Sequence, residues 1–148
     1  MLIETLKTLF ERDLKKLKTE IELYTTEEKI WYIEKGIANS AGNLCLHLMG
    51  NLNTYIGAEI GKTHYIRQRA LEFSLKNIPR VELTEQIEQT IVVVNNALDT
   101  LTNRALELEY PILVFTEKTS TEFLLVHLSS HLAYHIGQIN YHRRLLDN

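Results

Sequence analysis

Residues 127–146 read HLSSHLAYHIGQINYHRRLL, and four of the six histidines in the chain, His127, His131, His135 and His142, fall inside this stretch. On an α-helix each residue turns about 100° and rises about 1.5 Å. Taking His131 as zero, His135 lies about 40° to one side and His127 about 40° to the other, with Gln138 and His142 within about 20°. All four imidazoles and the glutamine therefore share one helical stripe. Phe123 or Leu124 at one end and Leu145 or Leu146 at the other turn that stripe inward over at least part of its length. A long helix with a polar stripe facing a core needs other helices to face it.

The rest of the chain supplies them. Leu2, Leu6, Leu9, Phe10, Leu14, Leu17 and Ile21 recur at the spacing of an amphipathic first helix. In YTTEEKIWYIEKG, Thr25 and Glu28 have capping-box spacing for a short helix, with Gly36 as its stop. Asn39 or Ser40 can cap a second long helix running to about Gly57, with Leu44, Leu48, Leu52, Tyr55 and Ile56 on its apolar face. Gly42 and Gly50 inside it each cost about 1 kcal/mol against alanine, which points to close packing at both. Residues 57–80 have the weakest periodicity and read as a long crossing loop with one helical turn around Arg69–Phe73. Helical spacing returns over 84–108 at Ile87, Ile91, Val94, Leu98, Leu101 and Leu108. Thr119 and Glu122 then have capping-box spacing for the last helix. Four long amphipathic helices with one long connection predict an all-α four-helix bundle, residues 1–148 forming one domain.

Composition narrows the function classes. The 148 residues are 45% hydrophobic and 24% charged with a net charge of −3, which leaves no basic footprint for nucleic acid. No window reaches the run of about 18 apolar residues that a membrane span needs. The N-terminal segment mixes charges into its apolar residues, unlike a secretory signal. Cys45 stands alone, so no internal disulfide can form. These features point to a cytoplasmic protein without a nucleic-acid or membrane partner.

Histidines at i and i+4 have Cβ atoms about 6 Å apart and can share a metal ion. Both His127–His131 and His131–His135 have this spacing, whereas His142 lies about 10 Å beyond His135 along the axis. A catalytic zinc site takes three protein ligands and keeps one open position, so a third ligand must come from another element. His47 is the candidate, at the border of the inward face of the second helix. Asn43 and Asn51, one turn before and after it, make a polar strip that needs partners.

The segment NSAGNLCLHLMGN (39–51), followed some eighty residues later by HLAYHIGQINYHRRLL (131–146), resembles the DinB-like superfamily of small four-helix metalloproteins. The likeness is strongest to an uncharacterised bacterial subgroup and includes IRQRALEF (66–73), which matches that subgroup's charged linker before an acidic-aromatic pair. The family's name implies neither polymerase activity nor DNA binding. Its pattern places a His-x3-His pair before Gly-Gln, here Gly137-Gln138, so the resemblance implies one divalent ion, zinc or nickel, on His47, His131 and His135. Asn43, His127 and Gln138 would stand around that centre, with Asn43 and Gln138 orienting ligands or substrate. Tyr134 and Ile136 replace residues of the commoner His-His-Arg-Gly-Gln pattern and alter the wall beside it. The resemblance assigns His142 to packing or capping. His64 reads as solvated, Cys45 as a buried structural thiol, and Tyr134 and Tyr141 as core or dimer contacts.

Related families use such a centre to activate a low-molecular-weight thiol, such as bacillithiol or mycothiol, for transfer or isomerisation. The resemblance therefore implies a metal-dependent S-transferase with a small thiol as partner, and a homodimer. The residues leave a second class open: a non-catalytic, metal-stabilised bundle that binds a small molecule or a partner protein. No carboxylate falls on the histidine stripe and no general base stands beside the pair, which disfavours a simple hydrolase.

Overall fold

The computed structural model describes residues 1–148 and is all-helical. In chain order the α-helices are α1 (Leu2–Leu23), α2 (Ala41–Leu52), α3 (Arg69–Ser74), α4 (Arg80–Asp99), α5 (Asn103–Glu107) and α6 (Thr121–Leu146). A 3₁₀ turn, Glu27–Trp31, precedes α2, and a π-helical turn, Asn53–Ala58, extends it. The long helices α1, α2, α4 and α6 form the bundle. Helix α1 packs on α4 and α6, and α2 packs on the same two, so α1 and α2 face each other across one diagonal.

Each long helix contributes a periodic apolar face to one continuous core. Leu6, Phe10, Leu14, Leu17 and Ile21 of α1 meet Leu83, Ile87, Val94 and Leu98 of α4, and Leu124, Leu128, Leu132, Ile136 and Ile139 of α6. Every residue of α2 is buried, because it is covered on several sides: by α4, α6, the 3₁₀ turn and α3. Close approach is what the two α2 glycines permit. A Cβ on Gly42 would sit 2.6 Å from the Trp31 ring, and one on Gly50 would sit within 2 Å of the Glu72 carboxylate, at 1.8 Å.

Several boundaries differ from the sequence reading, each for a local reason. Ser40 caps α2 by accepting from the Asn43 amide. Thr25 caps nothing; its amide and hydroxyl, with the Thr26 amide, donate to the Asp147 carboxylate near the C-terminus. The short helix there is a 3₁₀ turn that ends at Trp31, and Gly36 serves a later turn at φ +89°. The segment 84–108 is not one helix. It starts earlier, after Pro79, and breaks at Thr100, where Thr102 turns its hydroxyl to cap α5 through the Ala105 amide. Leu108 consequently leaves the apolar face and is exposed. Helix α6 is capped by Ser120 rather than Thr119, whose carbonyl is taken by the Tyr110 amide in an isolated antiparallel bridge. No helix is long and apolar enough to cross a membrane.

Candidate metal centre

The bundle brings together His47 of α2 and His131 and His135 of α6, with one ligand nitrogen from each lying within 4.8 Å of the others. His131 Nε2 is 3.1 Å from His135 Nε2 and 3.4 Å from His47 Nε2. The three rings stand nearly perpendicular to one another, at 77°, 89° and 89°, so their edges meet in a common corner. The i, i+4 register of α6 sets one pair, and the α2–α6 packing delivers the third ring from across the core.

The outer nitrogens of two of these rings face acceptors. His47 Nδ1 lies 3.1 Å from Glu72 Oε1, and His135 Nδ1 lies 2.7 Å from Gln138 Oε1. A carboxylate and an amide carbonyl oxygen can only accept, so both Nδ1 atoms carry the proton and both Nε2 atoms present a lone pair inward. Arg67 Nη2 also approaches His47 Nδ1, at 3.4 Å. That nitrogen already donates to Glu72 Oε1 at 3.0 Å, so the carboxylate holds the imidazole proton. His131 Nδ1 is buried without a partner. Burial, then the neighbouring imidazoles, push the His131 imidazole down to about 4. Burial also lowers His47, against the raising influence of Glu72. Three imidazole nitrogens converging on one corner, two of them with their lone pairs turned inward, are the donor set that a divalent cation takes.

The surrounding residues divide into those that touch this corner and those that do not. Gln138 bonds His135 as expected of an orienting residue. Asn43 does not point at the corner. Its amide donates to the backbone carbonyls of Glu72 and Leu75, and its Oδ1 accepts from Ser40 and Lys76. It therefore acts on the site only by fixing α3. His127 stays outside the converging set, stacked on His131 at 6.1 Å and edge-on to Phe115 at 4.7 Å. Beside it a cavity of about 280 Å³ is lined by Phe115, Lys118, Phe123 and His127.

His142 lies away from the three-histidine corner. It is buried against the 3₁₀ corner, where Nε2–H donates to the Tyr32 carbonyl and Nδ1 accepts from the Tyr24 hydroxyl. His64 is exposed, and Cys45 is fully buried with its thiol pushed up to about 12. Tyr134 and Tyr141 are exposed rather than part of this chain's core.

Glu72 and Arg67 are the site residues that periodicity did not reveal. Neither lies on a long helix, and Glu72 is only 6% exposed in a segment that otherwise reads as a solvated loop. Two signals were present: the acidic-aromatic pair Glu72-Phe73 that ends IRQRALEF, and Gly50, one turn after His47, which makes room for a guest side chain on an otherwise crowded helix.

Fold and centre together define an all-helical protein with a three-histidine corner able to hold a metal ion. The profile of a family described as Protein of unknown function (DUF1572) matches residues 2–148, and the chain belongs to that family. No curated protein matches it.

Proposed function

We propose that His47, His131 and His135 hold one divalent cation, zinc or nickel, and that the protein is a DinB-like metalloprotein that transfers or isomerises groups on a low-molecular-weight thiol. The observation that carries the reading is the inward convergence of three imidazole nitrogens, two of them with their tautomers fixed by outer acceptors. When bound, the cation supplies Lewis acidity that favours the thiolate form of a thiol. The chain's own residues do the rest. Gln138 and Glu72 keep the Nδ1 protons of His135 and His47 outward, and Phe73 covers the His47 ring at a centroid distance of 5.0 Å. A thiol fits this set better than water does. The one carboxylate at the site, Glu72, is already committed to Arg67 and His47, which leaves no proton acceptor for a hydrolase.

That same commitment favours a second reading, a metal-stabilised bundle that binds a small molecule or partner without turning it over. The cobalt-substituted protein separates the two. Under the transferase reading, titration with a small thiol brings in a thiolate-to-metal charge-transfer band and shifts the visible bands. A cobalt spectrum that thiols leave unchanged overturns the transferase reading in favour of the binding one.

A further inference from the structure

The segment joining α2 to α4 carries a side-chain arrangement that the three histidines do not require for folding. Glu72 reaches from α3 into the bundle and is almost wholly buried, with both oxygens engaged. Arg67 grips it as a fork, Nε to Oε2 at 2.9 Å and Nη2 to Oε1 at 3.0 Å. The remaining capacity of Oε1 goes to His47 Nδ1 at 3.1 Å. Two further features support this placement. Asn43 ties the backbone behind Glu72 through the carbonyls of Glu72 and Leu75, each at 2.9 Å. Gly50 leaves the space that the carboxylate occupies, since a Cβ there would meet Oε2 at 1.8 Å. A glycine inside a helix and a buried carboxylate are both costly alone. Here each accommodates the other.

We propose that Glu72, clamped by Arg67 and admitted by Gly50, is the positioning residue of the centre: it holds His47 in the Nδ1–H tautomer and so delivers the Nε2 lone pair to the metal. The inference rests on the metal-binding reading above. It assigns to the linking segment a role in loading the ion, as acceptor to an imidazole ligand from outside the coordination shell. Arg67 has two effects. Its two hydrogen bonds fix the Glu72 carboxylate in its buried place, and its guanidinium lies 3.4 Å from His47 Nδ1. Without Glu72, the guanidinium becomes the nearest neighbour of that nitrogen and can only donate to it. The imidazole proton then moves to Nε2, the atom that should face the metal.

The test reads the tautomer and the affinity separately. In metal-free protein, ¹⁵N NMR of the histidine side chains gives the protonated nitrogen of His47, and competition with a chromophoric chelator gives the zinc affinity. Three proteins are compared: wild type, Glu72→Ala, and Gly50→Ala. The last keeps the carboxylate but evicts it while adding a better helix former. The expected result is an Nδ1–H tautomer in the wild type, its loss in both variants, and a fall in zinc affinity of about 10–100-fold. A wild-type His47 protonated on Nε2 overturns the assignment without reference to any variant. Zinc bound equally by all three proteins overturns the role of Glu72 while leaving the metal centre standing. A wild type that binds no zinc overturns the metal reading itself, and this inference with it.

Discussion

Gly42→Ala tests how α2 is seated against the 3₁₀ turn, and the sole tryptophan of the chain reports on it. The new Cβ would meet Trp31 Cε3 and Cζ3 at 2.6 Å and Cδ2 at 2.7 Å, where ordinary carbon contacts lie at about 3.5–4.0 Å. The ring must therefore retreat by about 1 Å. It is only 7% exposed and packs into the core, so it cannot yield as the end of a flexible side chain does. Overpacking of this kind costs about 1–3 kcal/mol. Replacing a helical glycine by alanine returns about 1 kcal/mol. The net expectation is a loss of about 0–2 kcal/mol, or a fall in Tm of up to roughly 8 °C for a chain of this size. The indole N–H has no acceptor in its buried place, so outward movement towards water is the direction of least cost. Thermal and urea melts followed by Trp31 emission should show both the lower midpoint and a red-shifted native spectrum. An equal or higher Tm with unchanged emission would refute the reasoning, because it would mean that the ring is not wedged against α2.

Other consequences are accessible to routine measurement. In chelator-treated protein, His131 sits at about 4 in the folded chain against a usual 6.5, so the unfolded chain binds its proton more tightly. Its contribution to stability is complete above pH of about 6.5, shrinks as pH falls towards about 4, and is gone below. Urea midpoints measured between pH 7 and 4.5 should fall, and His131→Ala should flatten the decline; an unchanged slope in that variant would count against a buried neutral imidazole. Tyr24→Phe strips the donor from His142 Nδ1 and should cost about 1–3 kcal/mol by chemical denaturation, with zinc stoichiometry untouched, since His142 is no ligand. Zinc should also protect the 62–79 segment from limited proteolysis, because His47, Glu72 and Arg67 link it to the centre; cleavage there at the same rate with and without zinc would break that link.

The parts of this structure that were legible in the sequence are those governed by the 3.6-residue period. Leu6, Phe10, Leu14, Leu17 and Ile21 announced the buried face of α1, and the same rule placed His131 beside His135. His47 was found by chemistry rather than period, as a polar residue in an apolar helix flanked by asparagines. Periodicity failed where a short-range bond competed with it. Leu101 and Leu108 continue an apolar spacing, yet Thr102 ends the pattern by capping α5. It failed again where the side chain of one end satisfies the other: Asp147 takes the donors of Thr25 and Thr26 from the far end of the chain, Asp147 lying 122 positions after Thr25. Glu72 lay furthest out of reach. It comes from a segment without periodicity and meets a histidine 25 positions earlier; its traces are the acidic-aromatic pair of IRQRALEF and a glycine on α2. Asn43 reaches the site through the same segment. It shares the polar strip with His47, but the strip turns partly towards α3, so Asn43 holds the backbone that carries Glu72.

The most direct test of the central claim is the metal content of protein purified without a histidine tag or chelator, measured by inductively coupled plasma mass spectrometry before and after incubation with zinc or nickel. About one divalent ion per chain is expected in the wild type, with its loss in His47→Ala, His131→Ala and His135→Ala and its retention in His127→Ala and His142→Ala. A wild type that stays metal-free after incubation, or an ion that survives His131→Ala, would contradict that claim.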